Sequence, residues 1–461
     1  MLVDTIAAVC TAPGHGSIGI IRISGDKSSQ VATKIFKPKN EKHILGLEIN
    51  KMLYGHIHDG TGNIIDEVFC VYMKAPYSYT AEDVVEIQCH GGIIIMQKIL
   101  QLLYADGVKP AEPGEFTKRA FLNGRIDLAQ AEAVMSLIKA RSDIALKQAL
   151  YQQQGILSQK IKDLRNKLKD VLVETEVVID YPEEDLEDVT VEKLALSLEN
   201  IKSEIEKLLT SAQTGRIIKE GLRTVIVGKP NVGKSSLLNA LAGEDLAIVT
   251  EIAGTTRDTI EEQLFFDGVP LVLIDTAGIR DTEDKIEQIG IERSMGKLDN
   301  ADIVLLLVDG SQPLTDEDDS LFKMIVGKPH IVLINKNDLE QKVDRHVLHK
   351  EYAICEQDIV DISIVNKFGW QQFSQRLKEK AYGESASLGE GIYVQETRHK
   401  DLLAQAKVNL DEALVAVRLK MPLDCVLIDV KNAFYNLGFI TGETVTDEIL
   451  QEIFSRFCLG K

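Results

Sequence analysis

Apolar residues in the first part of the chain occur in short runs that turn-forming residues separate. Residues 18–23 and 84–87 are rich in isoleucine and valine, and a pair of glycines precedes residues 93–107, where the apolar spacing is helical. Runs of β-branched residues of this length indicate strands, and the segment after the glycines indicates a helix. The pattern predicts a compact α/β domain over residues 1–118.

Apolar residues recur every three or four positions from about residue 121, as is typical of helices that bury one face. One such set is Leu157, Ile161, Leu164, Leu168 and Val171, the next is Leu194, Leu198, Ile201, Ile205 and Leu208, and a third is Leu403, Ala406, Leu410, Ala413 and Val417. No set exceeds about three heptads, so a helical bundle is favoured over an extended coiled coil. We predict a helical domain formed by residues 119–215 and 383–461, with a break near Tyr181 and Pro182.

Continuously apolar runs replace the helical period in the middle of the chain. Residues 222–227, 269–274, 303–308 and 330–335 are such runs, and each ends at or before a Gly, Asp or Asn. Runs of this kind, separated by helical stretches, are typical of parallel strands that are buried on both faces. The predicted fold class is therefore α/β plus α, with a doubly wound domain over residues 216–382 inserted into the helical domain.

Length and charge bound the function. A chain of 461 residues is long enough for about three domains. Its net charge of −19 argues against a surface that captures nucleic acid by bulk electrostatics, because neutralising phosphates needs clustered Lys and Arg. An RNA partner would require a local basic patch or a basic helper protein.

The cysteines give no sign of a disulfide framework or a zinc site, because their spacing matches neither. They are Cys10, Cys70, Cys89, Cys355, Cys425 and Cys458. No basic region precedes an apolar core at the start of the sequence, and no run of 18 apolar residues occurs. We expect a protein of a reducing, cytoplasmic compartment with no membrane partner.

Residues 228–235 read GKPNVGKS and match the GxxxxGK[ST] phosphate-binding pattern between a predicted strand and a predicted helix. In this motif the loop amides and the helix N-terminus bind phosphate, Lys234 reaches the outer phosphates, and the Ser235 hydroxyl can bind Mg²⁺. The predicted phosphate contacts are Asn231, Val232, Gly233, Lys234, Ser235 and Ser236.

Two later segments complete the expected triphosphate site. The sequence Asp275-Thr276-Ala277-Gly278 ends a predicted strand, so that Asp275 can hold the Mg²⁺ shell and the Gly278 amide can sense a γ-phosphate. Gly254, Thr255 and Thr256 lie before it, and Thr256 is the expected switch threonine. The predicted Mg²⁺ ligands are therefore Ser235, Thr256 and Asp275.

Asn335, Lys336 and Asp338 follow the last apolar strand and predict the choice of base. A carboxylate at Asp338 can accept two hydrogen bonds from the edge of guanine, whereas adenine would leave it unpaired. GTP is therefore predicted over ATP. The usual Ser-Ala-Lys box reads Ser363-Ile364-Val365 here, so specificity should survive while affinity is loosened.

Ile279 occupies the position where Ras-like GTPases place a water-orienting Gln. Another group must orient the water, and Glu287 is the leading candidate among the acids that follow. No arginine finger is evident, so the charge that develops on phosphate needs another cation. Asn231 is a neutral oxygen donor that could help to hold a monovalent ion beside the phosphates.

The chain resembles the MnmE (TrmE) family of tRNA-modification GTPases over almost its full length. The resemblance is carried by residues 19–25 (GIIRISG), 79–92 (YTAEDVVEIQCHGG), 113–131 (PGEFTKRAFLNGRIDLAQA), 289–293 (IGIER) and the terminal CLGK. It implies dimerisation through the N-terminal domains, a tetrahydrofolate derivative bound there, and a heterotetramer with an FAD-binding MnmG-type partner. The implied product is a carboxymethylaminomethyl or aminomethyl group on a tRNA wobble uridine.

The resemblance also implies roles for individual residues. K⁺ would be held by Asn231, Thr250, Ile252 and Thr255. The segment that contains the last three residues, together with Glu251 and Ala253, would also contact GTP. The ion would replace an arginine finger when two G domains pair. Glu287 would act with Lys234 and Thr256 in catalysis. Folate would contact Arg22, Glu86, Arg125 and Lys461, although many relatives have Lys where Arg125 stands. Cys458 is either a reactive or positioning residue near the folate, or a small buried hydrophobe.

Three other functions compete with this interpretation. An Era- or Der-type ribosome-assembly GTPase would place an RNA-binding domain after the G domain, whereas residues 391–461 have a helical pattern without a GxxG loop. A dynamin- or septin-like scaffold would need a basic membrane surface or a long stalk. A folate-dependent aminomethyltransferase with a vestigial G domain would not need an intact phosphate loop.

Overall fold

The computed structural model describes residues 4–12, 14, 16–40, 47–180, 187–244, 262–274, 300–383, 391–443 and 445–461. The chain divides into two compact units. The first unit comprises Met1–Met135, Gln152–Lys167 and Phe434–Lys461, and the second comprises Ser136–Tyr151 and Leu168–Ala433.

A mixed, mainly antiparallel sheet forms the centre of the first unit. Its strands are β1 (Ile6–Val9), β2 (Ile18–Ser24), β3 (Phe36–Pro38), β4 (Met52–His58), β5 (Ile64–Met73), β6 (Val84–His90) and β7 (Lys109–Pro110). Their order is β3-β4-β5-β6-β2-β1-β7, and only the β1–β7 pairing is parallel. The predicted strands at residues 18–23 and 84–87 are therefore neighbours, with Arg22 opposite Glu86.

Alternating side chains divide this sheet into two different faces. One face supplies Ile21, Ile23, Val85 and Ile87 to a core that α1 (Ser28–Ile35) and α2 (Ile93–Ala105) cover. The other face carries polar and aromatic residues, since successive side chains of a strand point to opposite sides. Phe116 of α3 (Glu115–Leu122) packs against β1 there.

A parallel sheet with one antiparallel edge strand forms the centre of the second unit. Its strands are β8 (Leu222–Val227), β9 (Glu262–Phe266), β10 (Val269–Leu273), β11 (Ile303–Asp309), β12 (His330–Asn335) and β13 (Ile359–Asp361). The order is β13-β12-β11-β8-β10-β9, with β9 antiparallel to β10. The four predicted strands are confirmed. The edge strand β9 and the short β13 were not predicted, because neither forms a long continuous apolar run.

The remaining helices include the three that carry the predicted apolar sets at residues 157–171, 194–208 and 403–417. They are α4 (Leu128–Lys139), α5 (Asp143–Gln153), α6 (Ile156–Asp180), α7 (Glu187–Glu220), α8 (Lys234–Glu244), α9 (Asp316–Ile325), α10 (Arg345–Tyr352), α11 (Trp370–Tyr382), α12 (Thr397–Arg418), α13 (Leu423–Thr441) and α14 (Asp447–Ser455). The predicted α/β plus α class is confirmed. No helix in the described part of the chain is long and apolar enough to cross a membrane.

Candidate functional site

The phosphate loop connects β8 to α8 in the second unit, as the sequence predicts. Gly233 has a φ of +107°, and a Cβ added there would lie 2.6 Å from Nδ2 of Asn335. The same Nδ2 donates a hydrogen bond of 2.9 Å to the carbonyl oxygen of Val232. Gly233 is therefore required both by its backbone conformation and by the close approach of β12 to the loop.

The side chain of Lys234 is held over the phosphate loop by carbonyl groups of the loop backbone. Its Nζ donates to the carbonyl oxygens of Gly228 at 2.6 Å and Lys229 at 3.1 Å. Ser235 and Ser236 follow in the first turn of α8, where both are exposed. Amides of a helix N-terminus and one ammonium group thus meet at a single loop, which is the arrangement that binds a polyphosphate.

The residues that are predicted to read the base, Asn335 and Asp338, lie at and just after the carboxyl end of β12. Ser363 donates a hydrogen bond of 2.6 Å to Oδ1 of Asp338, while the Ile364 amide donates to Oδ1 of Asn335 at 3.3 Å. Ser363, the first residue of the altered fifth box, thus orients the carboxylate that is predicted to read guanine. Val365, where Lys is usual, is 85% exposed. The altered box keeps the group that contacts Asp338.

Lys336 is connected to a neighbouring strand. Its Nζ donates to Oδ2 of Asp309 at 2.6 Å, at the end of β11. Burial raises the pKa of Asp309, but hydrogen bonds from Lys336 and Ser311 lower it more strongly, so the net pKa lies below its usual value. Asp309 is therefore ionised at neutral pH and fixes the Lys336 ammonium beside the base-reading residues.

Several predicted site residues lie outside the described part of the chain, and their roles stay predictions. They are Thr250, Glu251, Ile252, Ala253, Gly254, Thr255, Thr256, Asp275, Thr276, Ala277, Gly278 and Glu287.

Arg22, Tyr79, Glu86 and Arg125 meet in the first unit, and we call this group the arginine cluster. Nε of Arg22 donates to Oε1 of Glu86 at 2.9 Å across the β2–β6 pair. The guanidinium carbons of Arg22 and Arg125 lie 4.8 and 4.9 Å from the centre of the Tyr79 ring. One aromatic ring thus contacts both guanidinium groups.

The arginine cluster contains a buried donor without a partner. Nη1 of Arg22 has no hydrogen-bond acceptor among the described residues, although its side chain is only 13% exposed. Phe116 lies 5.4 Å from the same guanidinium on another side. Because a buried unpaired donor is costly, this geometry fits a ligand that supplies a carboxylate or carbonyl oxygen.

The C-terminal tail lies beside the arginine cluster. Gly460 has a φ of +88°, and a Cβ there would lie 2.1 Å from the Val9 carbonyl oxygen, while the Lys461 carbonyl accepts from the Phe116 amide at 3.1 Å. The net pKa of the Cys10 thiol lies above its usual value, chiefly because the thiol is buried. The positive charges of Arg22 and Lys461 lower this pKa, and the negative charge of Glu86 raises it. Phe116 links the tail to the arginine cluster, because its amide donates to Lys461 and its ring lies 5.4 Å from the Arg22 guanidinium carbon.

Comparison with known proteins gives matches over both units. The family model of the GTP-binding protein TrmE N-terminus matches residues 5–125, and that of the MnmE helical domain matches residues 128–458. The chain belongs to the MnmE family of tRNA modification GTPases. It is a GTPase, and the phosphate loop and Asp338 are the parts of its predicted nucleotide site that lie among the described residues.

Full-length MnmE relatives are similar from end to end. The chain is 48% identical over 458 residues to the tRNA modification GTPase MnmE of Clostridioides difficile (strain 630), and each chain is 99% covered. It is 47% identical over 460 residues to that of Geobacillus kaustophilus (strain HTA426), again with 99% of each covered. Among solved structures, the G domain of the T. maritima FeoB iron transporter is 26% identical, over 35% of this chain and 98% of that one, with a TM-score of 0.26. The MnmE assignment does not depend on that structure.

In this MnmE-family chain, sequence analysis missed two residues that the structure places against the predicted sites. Tyr79 begins the YTAEDVVEIQCHGG segment, but no local pattern shows that it will contact Arg22 and Arg125. Lys229 lies within the phosphate loop at a position that the motif leaves open.

Cys458 is exposed rather than buried, which excludes the small-hydrophobe role in this structure.

Proposed function

We propose that this GTPase acts with an FAD-dependent MnmG-type partner to build a carboxymethylaminomethyl or aminomethyl group on a tRNA wobble uridine. The observation that carries the proposal is the arginine cluster. In this MnmE-family chain the C-terminal tail lies beside that cluster, through the contact of Lys461 with Phe116. A GTPase that acted only in ribosome assembly or as a membrane scaffold would have no use for a buried arginine whose Nε is paired with Glu86 while its Nη1 has no partner among the described residues.

A tetrahydrofolate derivative fits the arginine cluster by its chemistry. A pterin has a donor edge that a carboxylate such as Glu86 can pair with, and its glutamate tail carries carboxylates that suit Arg22, Arg125 and Lys461. The folate would supply a one-carbon unit when bound. The residues of this chain would hold and orient it, and the Tyr79 ring would limit the positions that both guanidinium groups can adopt.

GTP hydrolysis would use the phosphate loop as the electrostatic part of its site. Loop amides and Lys234 bind the outer phosphates, while Asp338, held by Ser363, selects guanine. Mg²⁺ would be held by Ser235 with Thr256 and Asp275, and it would supply positive charge to the phosphates. The predicted role of Glu287 is to orient the attacking water through a second water.

The proposed K⁺ site includes Asn231, an exposed residue in the phosphate loop. Asn231 has a φ of +62°, a left-handed conformation that Asn tolerates better than most residues. Its amide oxygen is a neutral donor suited to a monovalent cation. Carbonyls of Thr250 and Ile252 and the Thr255 region would complete the site, and the ion would stabilise negative charge on the phosphates when two G domains pair.

Homodimerisation through the N-terminal sheet is supported by an apolar patch on its polar face. Met52, Tyr54 and Phe69 lie together across β4 and β5, with the Tyr54 and Phe69 ring centres 5.4 Å apart. They are 56%, 37% and 44% exposed, which is unusual for neighbouring large side chains in a monomer. A second copy of the chain would cover this patch.

The domain division that we propose remains residues 1–118, 119–215, 216–382 and 383–461. With a net charge of −19, the chain is expected to rely on its partner for much of the tRNA contact.

The proposed function is tested by reconstitution. Unmodified tRNA is incubated with the chain, the MnmG-type protein with FAD, a methylene-tetrahydrofolate, GTP, K⁺ and either glycine or ammonium, and wobble nucleosides are measured by mass spectrometry. We expect a modified uridine that requires every component. Arg22→Ala should abolish it while GTP hydrolysis stays within about two-fold of the parent protein, since the arginine cluster and the phosphate loop belong to different compact units. Unmodified uridine with all components present would overturn the proposal.

A further inference from the structure

The side chain of Lys229 connects the phosphate loop to α9. Its Nζ donates to Oδ2 of Asp318 at 2.5 Å and to Oγ1 of Thr315 at 3.0 Å. Asp318 is only 4% exposed and Lys229 only 17% exposed, so this ion pair is largely removed from water. Buried pairs of this kind are sensitive to the loss of either partner.

The acceptor end of this pair is itself rigid. Thr315 and Asp318 form a capping box at the start of α9, and Oδ2 of Asp318 accepts from the Thr315 amide at 2.9 Å and from its hydroxyl at 3.0 Å. The same oxygen therefore receives three donors, including Lys229. A carboxylate with three donors has a fixed orientation, so α9 offers the loop a fixed anchor.

The donor end lies in the part of the loop that orients Lys234. The carbonyl oxygens that accept from Lys234 Nζ belong to Gly228 and Lys229. Two residues later, Asn231 has a left-handed φ of +62°. Moving the backbone of Lys229 would move the oxygens that hold the ammonium of Lys234, and a displacement of about 1 Å at a reacting site can cost a hundredfold in rate.

We infer that Lys229 is a positioning residue for GTP hydrolysis, which acts by anchoring the phosphate loop to the capping box of α9 through Asp318. It does not contact the reacting atoms. Its ion pair fixes the loop backbone from which Lys234 and Asn231 extend, so its loss should lower turnover more than it weakens nucleotide binding.

The test uses the full chain and four variants: Lys229→Met, Lys229→Arg, Asp318→Asn, and the double variant Lys229→Met with Asp318→Asn. For each, kcat and KM for GTP are measured in KCl with Mg²⁺, together with GDP affinity and the midpoint of thermal unfolding. Each single variant that breaks the pair should lower kcat by about ten-fold or more, with a change of less than about three-fold in GDP affinity. Lys229→Arg should retain most of the turnover, because it keeps the charge.

The double variant separates positioning from stability. With both charges gone, no buried charge is left unpaired, so the unfolding midpoint should recover towards that of the parent protein while kcat remains low. If its kcat is within two-fold of the parent value, the ion pair does not position the loop. Equal losses in Lys229→Arg and Lys229→Met would also overturn the inference.

A second buried ion pair in the same unit provides the matched control. Nη2 of Arg376 lies 2.8 Å from Oδ1 of Asp358, and the two side chains are 14% and 7% exposed. Among the described residues, neither side chain contacts the phosphate loop. The single variant Arg376→Met removes one partner of the buried Asp358 carboxylate, so it should lower the unfolding midpoint without lowering kcat. A similar loss of kcat in this control would show that turnover responds to any loss of a buried pair, and the inference would fail.

Discussion

Tyr79 shows how a single residue can set the geometry of two others. Its ring contacts the guanidinium groups of both Arg22 and Arg125, and its hydroxyl is hydrogen-bonded to Oγ1 of Thr117 at 2.9 Å. We expect Tyr79→Leu to weaken binding of a tetrahydrofolate by about five- to thirty-fold, because a cation–π contact at a partly exposed site contributes about 0.5–1 kcal/mol and two are lost. Fluorescence titration with 5-formyl-tetrahydrofolate measures the change.

Tyr79→Phe is the matched control, because it keeps the ring and loses only the hydroxyl. Its folate affinity should stay within about three-fold of the parent protein. If Tyr79→Leu binds folate as well as Tyr79→Phe does, the ring has no role in ordering the arginine cluster.

Asp338 and Ser363 carry a prediction about the choice of base. Asp338→Asn replaces an acceptor by a donor at the atom that faces guanine, so GTP binding should weaken by about a hundredfold or more, and xanthosine triphosphate should become the better substrate. Competition by the two nucleotides against a fluorescent GDP measures the preference. Ser363→Ala should weaken GTP binding by less than about ten-fold without changing the preference. Retained GTP preference in Asp338→Asn would mean that another residue reads the base.

At the scale of elements, Asp358, the residue before β13, is held to α11 by the charged side chains of Arg376 and Lys380, with which it forms a cluster. Asp358 accepts from Nε of Arg376 at 2.9 Å and lies 2.8 Å from Nζ of Lys380. Burial raises the pKa of Asp358, but hydrogen bonds from Lys380 and Arg376 lower it more, so its pKa lies below the ordinary value of 3.8. Asp358 therefore stabilises the folded state when it is ionised.

This cluster predicts a pH-dependent stability. A lowered folded pKa means that the contribution of Asp358 is fully present above pH 3.8 and is lost as the pH falls through its folded value. Asp358→Asn should lower the free energy of unfolding by about 1–3 kcal/mol at pH 7 and by less at pH 3.5. Urea unfolding of the parent protein and of Asp358→Asn at several pH values measures the gap between their free energies of unfolding. A gap that widens towards acid would contradict this assignment.

At the scale of the whole molecule, the apolar patch on the N-terminal sheet predicts association. Phe69→Glu places a charge in the proposed interface, so the dimer should dissociate at least about ten-fold more readily. Analytical ultracentrifugation of both proteins measures the change. Leu196→Glu, at an exposed apolar position of α7, is the control and should leave the dimer unchanged. A monomeric parent protein would remove the patch from the proposed function.

The proposed monovalent cation site predicts a salt dependence of turnover. GTP hydrolysis should be at least about ten-fold faster in potassium chloride than in sodium chloride at equal ionic strength, because the larger ion would fit a site of neutral oxygens and replace an arginine finger. Asn231→Ala should reduce the difference. Steady-state phosphate release measures both. Equal rates in the two salts would show that the missing cation is not K⁺.

The sequence alone determined the features that depend on local patterns. Apolar runs identified the four central strands of the G domain, and the glycine-rich segment before α8 identified the phosphate loop, because strand, turn and helix each depend on neighbouring residues. Asp338 could be predicted as the base reader, and it stays a prediction, because the chemistry of a carboxylate after a buried strand is the same wherever the strand lies. Resemblance of the outer segments to the MnmE family predicted the function that we propose.

The tertiary structure decided which distant residues meet. Arg22, Tyr79 and Arg125 are far apart in the sequence but meet at one ring, and Phe116 connects Lys461 of the tail to Arg22. Lys229 and Asp318 meet only because β8 and β11 are parallel neighbours, which brings the loop after β8 close to α9. Residue type indicates what a side chain can bind, but burial and register decide its partner, because ion pairs and cation–π contacts act over a few ångströms.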